Sequence, residues 1–337
     1  MPLSSGAAPV AEPARPHPSL MLLLGAMLIA LLVGLRYRVG ADWNTYEFYF
    51  EWASYASLSR VLQLSDPAYQ LLNWSVQHLG GEMWGVNLLC GLIFSWGLWQ
   101  FARVQPEPWL AVLVAVPYLT VVVAMGYSRQ AVAIGILMAG LAALGRGASV
   151  IRFALYVGLA ALFHRTAIVV LPLVIFAGER NRLLNFIAGG AMFLLLYDAL
   201  LAESVDTLVK NYLVAEYNSQ GAAIRVGMSL LPALMFLAAP RRFNFPSQEE
   251  RLWRMFSYAA IGFLVLLLLL PSSTVVDRLA LYIFPLQLAV LSRLPLALGS
   301  EGLGRLLVIA YAFLVQFVWL NFAAHAEYWI PYRLFPM

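Results

Sequence analysis

The chain has 337 residues, of which 62% are hydrophobic and 11% charged, and its mean hydropathy is +0.79. Soluble domains carry about 45–50% apolar and about 25% charged residues, so an ordinary soluble enzyme is excluded and an all-α polytopic membrane protein is indicated. The net charge is +4, but basic residues follow membrane topology, and we expect no nucleic-acid partner from this excess.

All of the 21 basic residues except Lys210 are arginine. Arginine is the better choice where a planar fork grips phosphate oxygens. The lone cysteine, Cys90, lies inside an apolar run. A disulfide framework is therefore excluded, and a thiolate there would be badly desolvated.

Residues 1–19, with five prolines among small residues, read as a disordered cytoplasmic tail. Residues 20–337 read as one transmembrane helical domain, since no polar stretch is long enough to close a separate core. A crossing needs about 20 residues. Apolar runs recur at 20–35, 83–101, 109–125, 130–145, 153–163, 166–178, 184–200, 223–239, 255–271, 279–293 and 306–322. About eleven spans place the N-terminus in the cytoplasm and the C-terminus outside, with a mild excess of arginine in the inner loops.

The first run leads into Leu35-Arg36-Tyr37-Arg38-Val39-Gly40-Ala41-Asp42-Trp43, which places charge where a helix leaves hydrocarbon. The outer loop 36–82 then carries Tyr46-Glu47-Phe48-Tyr49-Phe50-Glu51-Trp52, an aromatic amphipathic helix suited to the interface. Asp66-Pro67 opens a second short helix, with Asp as N-cap and Pro at the first helical position. Its Leu71, Leu72, Trp74 and Val76 are expected to dip into lipid.

Residues 153–178 form either one bent span or a hairpin. We favour the hairpin, which sets His164-Arg165 at a turn sunk below the outer surface. The loop 201–222, with Asn211, Tyr212, Glu216, Tyr217, Asn218 and Gln220, fits a shallow sugar-contacting surface as well as any interfacial loop.

On this topology the outer face collects Arg36, Arg38, Asp42, Arg129, His164, Arg165, Arg225, Asp277 and Arg278. Snorkelling to headgroups explains Arg38 and Arg225. Arg129 and Arg278 are each read as starting a helix, where another cation is disfavoured unless an anion is shared. Converging arginines at helix N-termini suit a phosphate or pyrophosphate. Asp42 has nearby arginines to keep it ionised and could take a proton from a hydroxyl, and His164 is the alternative base. No HExxH, CxxC, Walker A or GxSxG pattern points to another chemistry, and metal-ligand clustering is weak, so we expect no obligatory metal and no cofactor.

Several pieces in order resemble the EpsG family of Wzy-like exopolysaccharide polymerases. They are the 35–43 segment with Tyr46; Asp66-Pro67 with Tyr69; Ser128-Arg129-Gln130 with Ala131 and Ala133; Phe163-His164-Arg165-Thr166-Ala167; Asp277-Arg278 with Tyr282; and Ile330-Pro331-Tyr332. Trp43 stands where a tyrosine is usual, and Arg165 occupies a variable position.

The resemblance implies a glycosyltransferase of the bacterial inner membrane, glycosyltransferase-C-like in architecture, that joins oligosaccharide repeat units carried on undecaprenyl pyrophosphate at the periplasmic face. Donor and acceptor would both be such lipid-linked units. Membrane lipid, a chain-length regulator and flippase or export proteins would be the other partners.

We expect inversion at the donor carbon. Asp42 and His164 are the catalytic candidates, and the substrate-binding candidates are Arg36, Arg38, Tyr46, Arg129, Gln130, Arg165, Asp277, Arg278 and Tyr282. Two alternatives stay open: an O-antigen-ligase-like glycan transferase, and a transporter or flippase for lipid-linked sugars.

Overall fold

The computed structural model describes residues 19–177, 219, 221–270 and 272–336, together with isolated positions between 183 and 195. The N-terminal tail, the run expected at 184–200 and most of the 201–222 loop with its amides and tyrosines lie outside the described residues. Among the described residues every regular element is helical. Five helical stretches are long and apolar enough to cross a membrane by length and composition: Met83–Ala102, Ser128–Gly145, Ser247–Leu269, Ser273–Leu291 and Glu301–Phe322. Five shorter apolar helical stretches, Leu20–Gly34, Pro108–Ala124, Val150–Phe163, Arg165–Ala177 and Ala222–Ala238, fall on further expected runs. The protein is membrane-embedded.

The centre of the bundle is a stack of α1 (Leu20–Gly34), α5 (Met83–Ala102), α7 (Ser128–Gly145) and α8 (Val150–Phe163), each packed on the next. With no hydrophobic drive between helices in lipid, close packing of small residues brings them together. Gly97 on α5 and Gly135 on α7 show how tight this is: a Cβ on Gly97 would stand 1.9 Å from the Gly135 carbonyl oxygen. That contact fixes α7, and with it Ser128, Arg129 and Gln130 at its first turn, against α5.

α6 (Pro108–Ala115) widens into a π-helical segment, Val116–Ala124, that includes Pro117. Proline has no N–H for the α-helical ladder, so the register opens there. Val121 O in this segment accepts a hydrogen bond from Trp329 Nε1 at 2.8 Å.

The loop after α1 folds into α2 (Trp43–Ala53), α3 (Leu58–Leu62) and α4 (Pro67–His78). α4 turns Tyr69, Gln70 and Asn73 inward. Of the α4 residues expected to meet lipid, Leu72 and Val76 pack on the core instead, and Trp74 Nε1 donates to Ala56 O at 3.1 Å. Leu71 alone faces clearly outward. The helix is amphipathic, but its buried side answers to the bundle beneath it.

α8 ends at Phe163 because His164 adopts an extended backbone. A 3₁₀ turn, Arg165–Val169, leads into α9 (Val170–Ala177), and α9 contacts α8 across the break. α10 (Ala222–Ala238) and α11 (Ser247–Leu269) pack together, followed by α12 (Ser273–Ala280), α13 (Phe284–Leu291), α14 (Leu294–Leu298) and α15 (Glu301–Phe322). Arg293 is buried: it pairs with Glu249 at 3.6 Å, donates to Gln105 and lies 4.0 Å from the Phe245 ring.

Beyond α15 the C-terminal strap returns to the loop that follows α1. Tyr37 N donates to Arg333 O at 2.9 Å, Gly40 N to Tyr328 O at 2.8 Å and Phe335 N to Leu35 O at 2.7 Å, and Arg36 and Leu334 form an isolated antiparallel bridge. Gly40 has φ +106°, and a Cβ there would sit 2.3 Å from Met125 O, so only glycine fits this bend. The strap and the bend together hold Asp42, two residues on.

Candidate functional site

The polar residues at this end of the bundle fall into two adjacent groups. The first is centred on Asp66. Asp66 is the N-cap residue of α4 with Pro67 at the first helical position, as read from the sequence, but its backbone is left-handed, φ 58°, and its side chain makes no cap hydrogen bond. It reaches across to the bundle. Oδ2 accepts from Arg129 Nη1 at 2.9 Å, Oδ1 accepts from Arg165 N at 3.2 Å, and His164 Nδ1 stands 3.8 Å from Oδ2, beyond hydrogen-bond distance. Asp66 is only 5% exposed. Burial by itself pushes its carboxyl up, yet His164, the Arg129 guanidinium and the Arg165 N–H outweigh it and hold the group below the usual aspartate range.

Sequence reasoning gave Asp66 no place in the site. The signal was present, since Asp-Pro sits in the same long loop as Asp42, but the capping role absorbed it. Arg129, at the first turn of α7, also faces three rings: Tyr49 at 5.5 Å, Tyr46 at 5.8 Å and Tyr69 at 5.9 Å from the guanidinium carbon. Tyr46 is buried, and burial pushes its hydroxyl up to about 12. Arg129 is therefore neutralised and enclosed, which satisfies the helix-start argument with an internal carboxylate in place of an external anion.

The second group lines a cavity of about 820 Å³. Arg225 at the start of α10 pairs with Asp277, donates from Nη2 to Ser219 Oγ at 2.9 Å and from Nε to Gly221 O at 3.3 Å. Ser219 Oγ donates to Asp277 Oδ2 at 3.0 Å. Snorkelling, the reading from sequence, is thus corrected for Arg225: a carboxylate within the protein holds it. Arg278 and Gln130 share the same cavity wall, and Gln130 Nε2 donates to Arg278 O at 2.6 Å.

Arg278 does not begin a helix as expected. α12 starts at Ser273, so Arg278 lies in its last turn, where a cation suits the dipole. The apolar run masked this: Ser273 and Thr274 open α12, so the helix begins well before Leu279.

Asp42 stands between the two groups. It precedes α2, is half-buried, and lies within electrostatic reach of Arg278, Arg129 and His164. Among the described residues its carboxylate accepts no hydrogen bond and makes no ion pair. Burial raises its pKa, and the three neighbouring groups only partly pull it back. Desolvation is the larger effect, and the arginines expected to keep Asp42 ionised act against it. The two aspartates are pushed in opposite directions, Asp66 down by the groups around it and Asp42 up by burial.

The remaining candidates take supporting places. Tyr282 OH and Thr166 Oγ1 share a hydrogen bond at 3.1 Å, and the Tyr282 ring lies 6.5 Å from His164. Arg36 is 1% exposed and donates to Ser128 Oγ at 2.7 Å and to Val33 O. It ties the end of α1 to the start of α7 and does not line the cavity. Arg38 is exposed over the Tyr37 ring at 5.4 Å. Among the described residues no three histidine, cysteine or carboxylate side chains are grouped as metal ligands.

A family model described as the EpsG family matches residues 19–334. No curated protein and no solved structure matches the chain.

Proposed function

The chain belongs to the EpsG family, an affiliation that points to exopolysaccharide polymerase-type activity, and from that premise we propose that it polymerises oligosaccharide repeat units carried on undecaprenyl pyrophosphate. The reaction would take place at the periplasmic face of a bacterial inner membrane, in a glycosyltransferase-C-like bundle of eleven crossings. The observation that carries this reading is Asp42, half-buried, without a hydrogen bond or ion pair among the described residues, and within electrostatic reach of Arg278, which lines a cavity together with Arg225 and Asp277.

The acceptor hydroxyl gives its proton to Asp42 as its oxygen attacks the anomeric carbon of the donor from the face opposite the leaving group. The bond from that carbon to the pyrophosphate oxygen breaks, and the pyrophosphate departs on its lipid with inversion at carbon. Arg278, with Arg225, stabilises the charge that develops there, in a cleft with little water to screen it. These guanidinium groups supply the positive charge a metal ion would otherwise bring. His164 and Arg129, fixed by Asp66, set the electrostatic field around Asp42 and need not touch substrate.

A transporter would want ionisable groups near mid-depth with access from both sides. Here the described charges collect at the helix ends instead.

The test is Asp42→Asn in cells and in purified protein. A positioned general base contributes about 10²–10⁴ in rate, so chain extension should stop while the protein still reaches the membrane, and single repeat units should accumulate on the lipid. Polymer of normal length from Asp42→Asn would remove Asp42 as base.

A further inference from the structure

The cationic wall accounts for one end of the cavity and leaves the other end without a use. Away from Arg225 and Arg278 the lining turns apolar, and it comes from two helix faces. α10 presents Ile224, Met228 and Leu231, and α15 presents Leu314, Val318 and Phe322, each set spaced by three or four residues and hence on one side of its helix. α10 packs on α11, α12 and α13, while α15 packs on α6, the π-helical segment and α14, so the two faces confront each other across the cavity. Ile224, Leu231, Leu314 and Phe322 are exposed. From Leu314 to Phe322 the wall runs about 12 Å at about 1.5 Å per residue.

A free sugar or inorganic phosphate gains nothing from such a wall. A molecule with an anionic head and a long hydrocarbon chain matches both ends at once. Resting on the transferase reading above, we propose that the cleft between α10 and α15 seats the first part of the donor's prenyl chain. The pyrophosphate then lies at Arg278 and Arg225, and the rest of the chain leaves sideways between the two helices into the bilayer.

Gly227 is the opening in this wall. It faces the cavity from α10, and a Cβ built on it would meet no atom within 4 Å. A side chain there starts from open space at its Cβ, and replacing a helical glycine favours the helix.

The experiment compares wild type, Gly227→Ala and Gly227→Trp, purified as full chains, on repeat units linked to a long polyprenyl pyrophosphate and to a short, two-isoprene one. Gly227→Ala should shift KM for the long-chain donor less than Gly227→Trp does. Gly227→Trp should raise KM for the long-chain donor by about tenfold and leave kcat/KM on the short-chain donor unchanged. Unaltered KM for the long-chain donor in Gly227→Trp overturns the seat, and so does an equal loss on both donors.

A second arm needs no turnover: a sugar-free polyprenyl pyrophosphate with a photoreactive group in its tail should label peptides of α10 and α15. Excess polyprenyl pyrophosphate should compete and phosphatidylglycerol should not. Equal competition by phosphatidylglycerol, or labelling elsewhere, overturns the proposal. If wild type extends neither donor, the transferase reading falls, and the labelling arm still decides the cleft.

Discussion

Asp66 offers the sharpest test of the site, because its role was invisible until the chain was folded. Its ion pair with Arg129 is 2.9 Å long, with Asp66 5% and Arg129 21% exposed. At an effective dielectric of about 20, the gross attraction over that distance is roughly 6 kcal/mol. Desolvation of the two groups removes several kcal/mol of this. A fifth of Arg129 remains in contact with solvent, which screens the pair further.

The coupling expected from a double-mutant cycle is therefore about 2–3 kcal/mol. Asp66→Asn, Arg129→Gln and the double variant would be followed by equilibrium unfolding in mixed detergent and dodecyl sulfate micelles. Asp66→Asn alone should be the costlier kind of change, since it leaves the Arg129 charge enclosed by three tyrosines with no carboxylate. Because the folded pKa of Asp66 is lowered, its contribution is present above the ordinary aspartate range and is lost only as pH falls through the lowered value. Additive single-variant effects, with coupling under about 0.5 kcal/mol, would refute the view that Asp66 organises this group.

The raised pKa of Asp42 makes a pH prediction. As the unprotonated form is the base, kcat/KM should fall on the acidic side at a pH above the ordinary aspartate range, and a limb within that range would show that burial is not felt at Asp42. Arg278→Lys should lower turnover by at least about tenfold, because an ammonium loses the planar two-point grip on phosphate oxygens; full activity in radiolabelled chain-extension assays would make Arg278 a structural cation. Gly97→Ala should destabilise the bundle by about 1–3 kcal/mol or more, since its Cβ would lie 1.9 Å from Gly135 O. An unchanged unfolding midpoint would show that α5 and α7 can part without loss.

Helix content, the membrane environment and the gathering of charge at one end were all legible in the sequence. Each depends on local pattern: an apolar run of given length, a break such as Phe163-His164, or an arginine at the edge of a run. Asp42, Arg129 and His164 could be singled out for the same reason.

Which carboxylate meets which cation was not legible. Asp66 and Arg129 are 63 residues apart, and Arg225 and Asp277 are 52 apart. Their pairing depends on how far each helix rotates and slides when glycines such as Gly97 and Gly135 let backbones touch. The same packing turned the side chain of the N-cap residue Asp66 away from its own helix toward Arg129 and placed Arg278 in the last turn of α12. It also opened the cleft between α10 and α15, whose faces are ordinary lipid-facing residues when each helix is read alone. A sequence records how apolar a surface is. Only the distance between two such surfaces decides whether they close on each other or hold something between them.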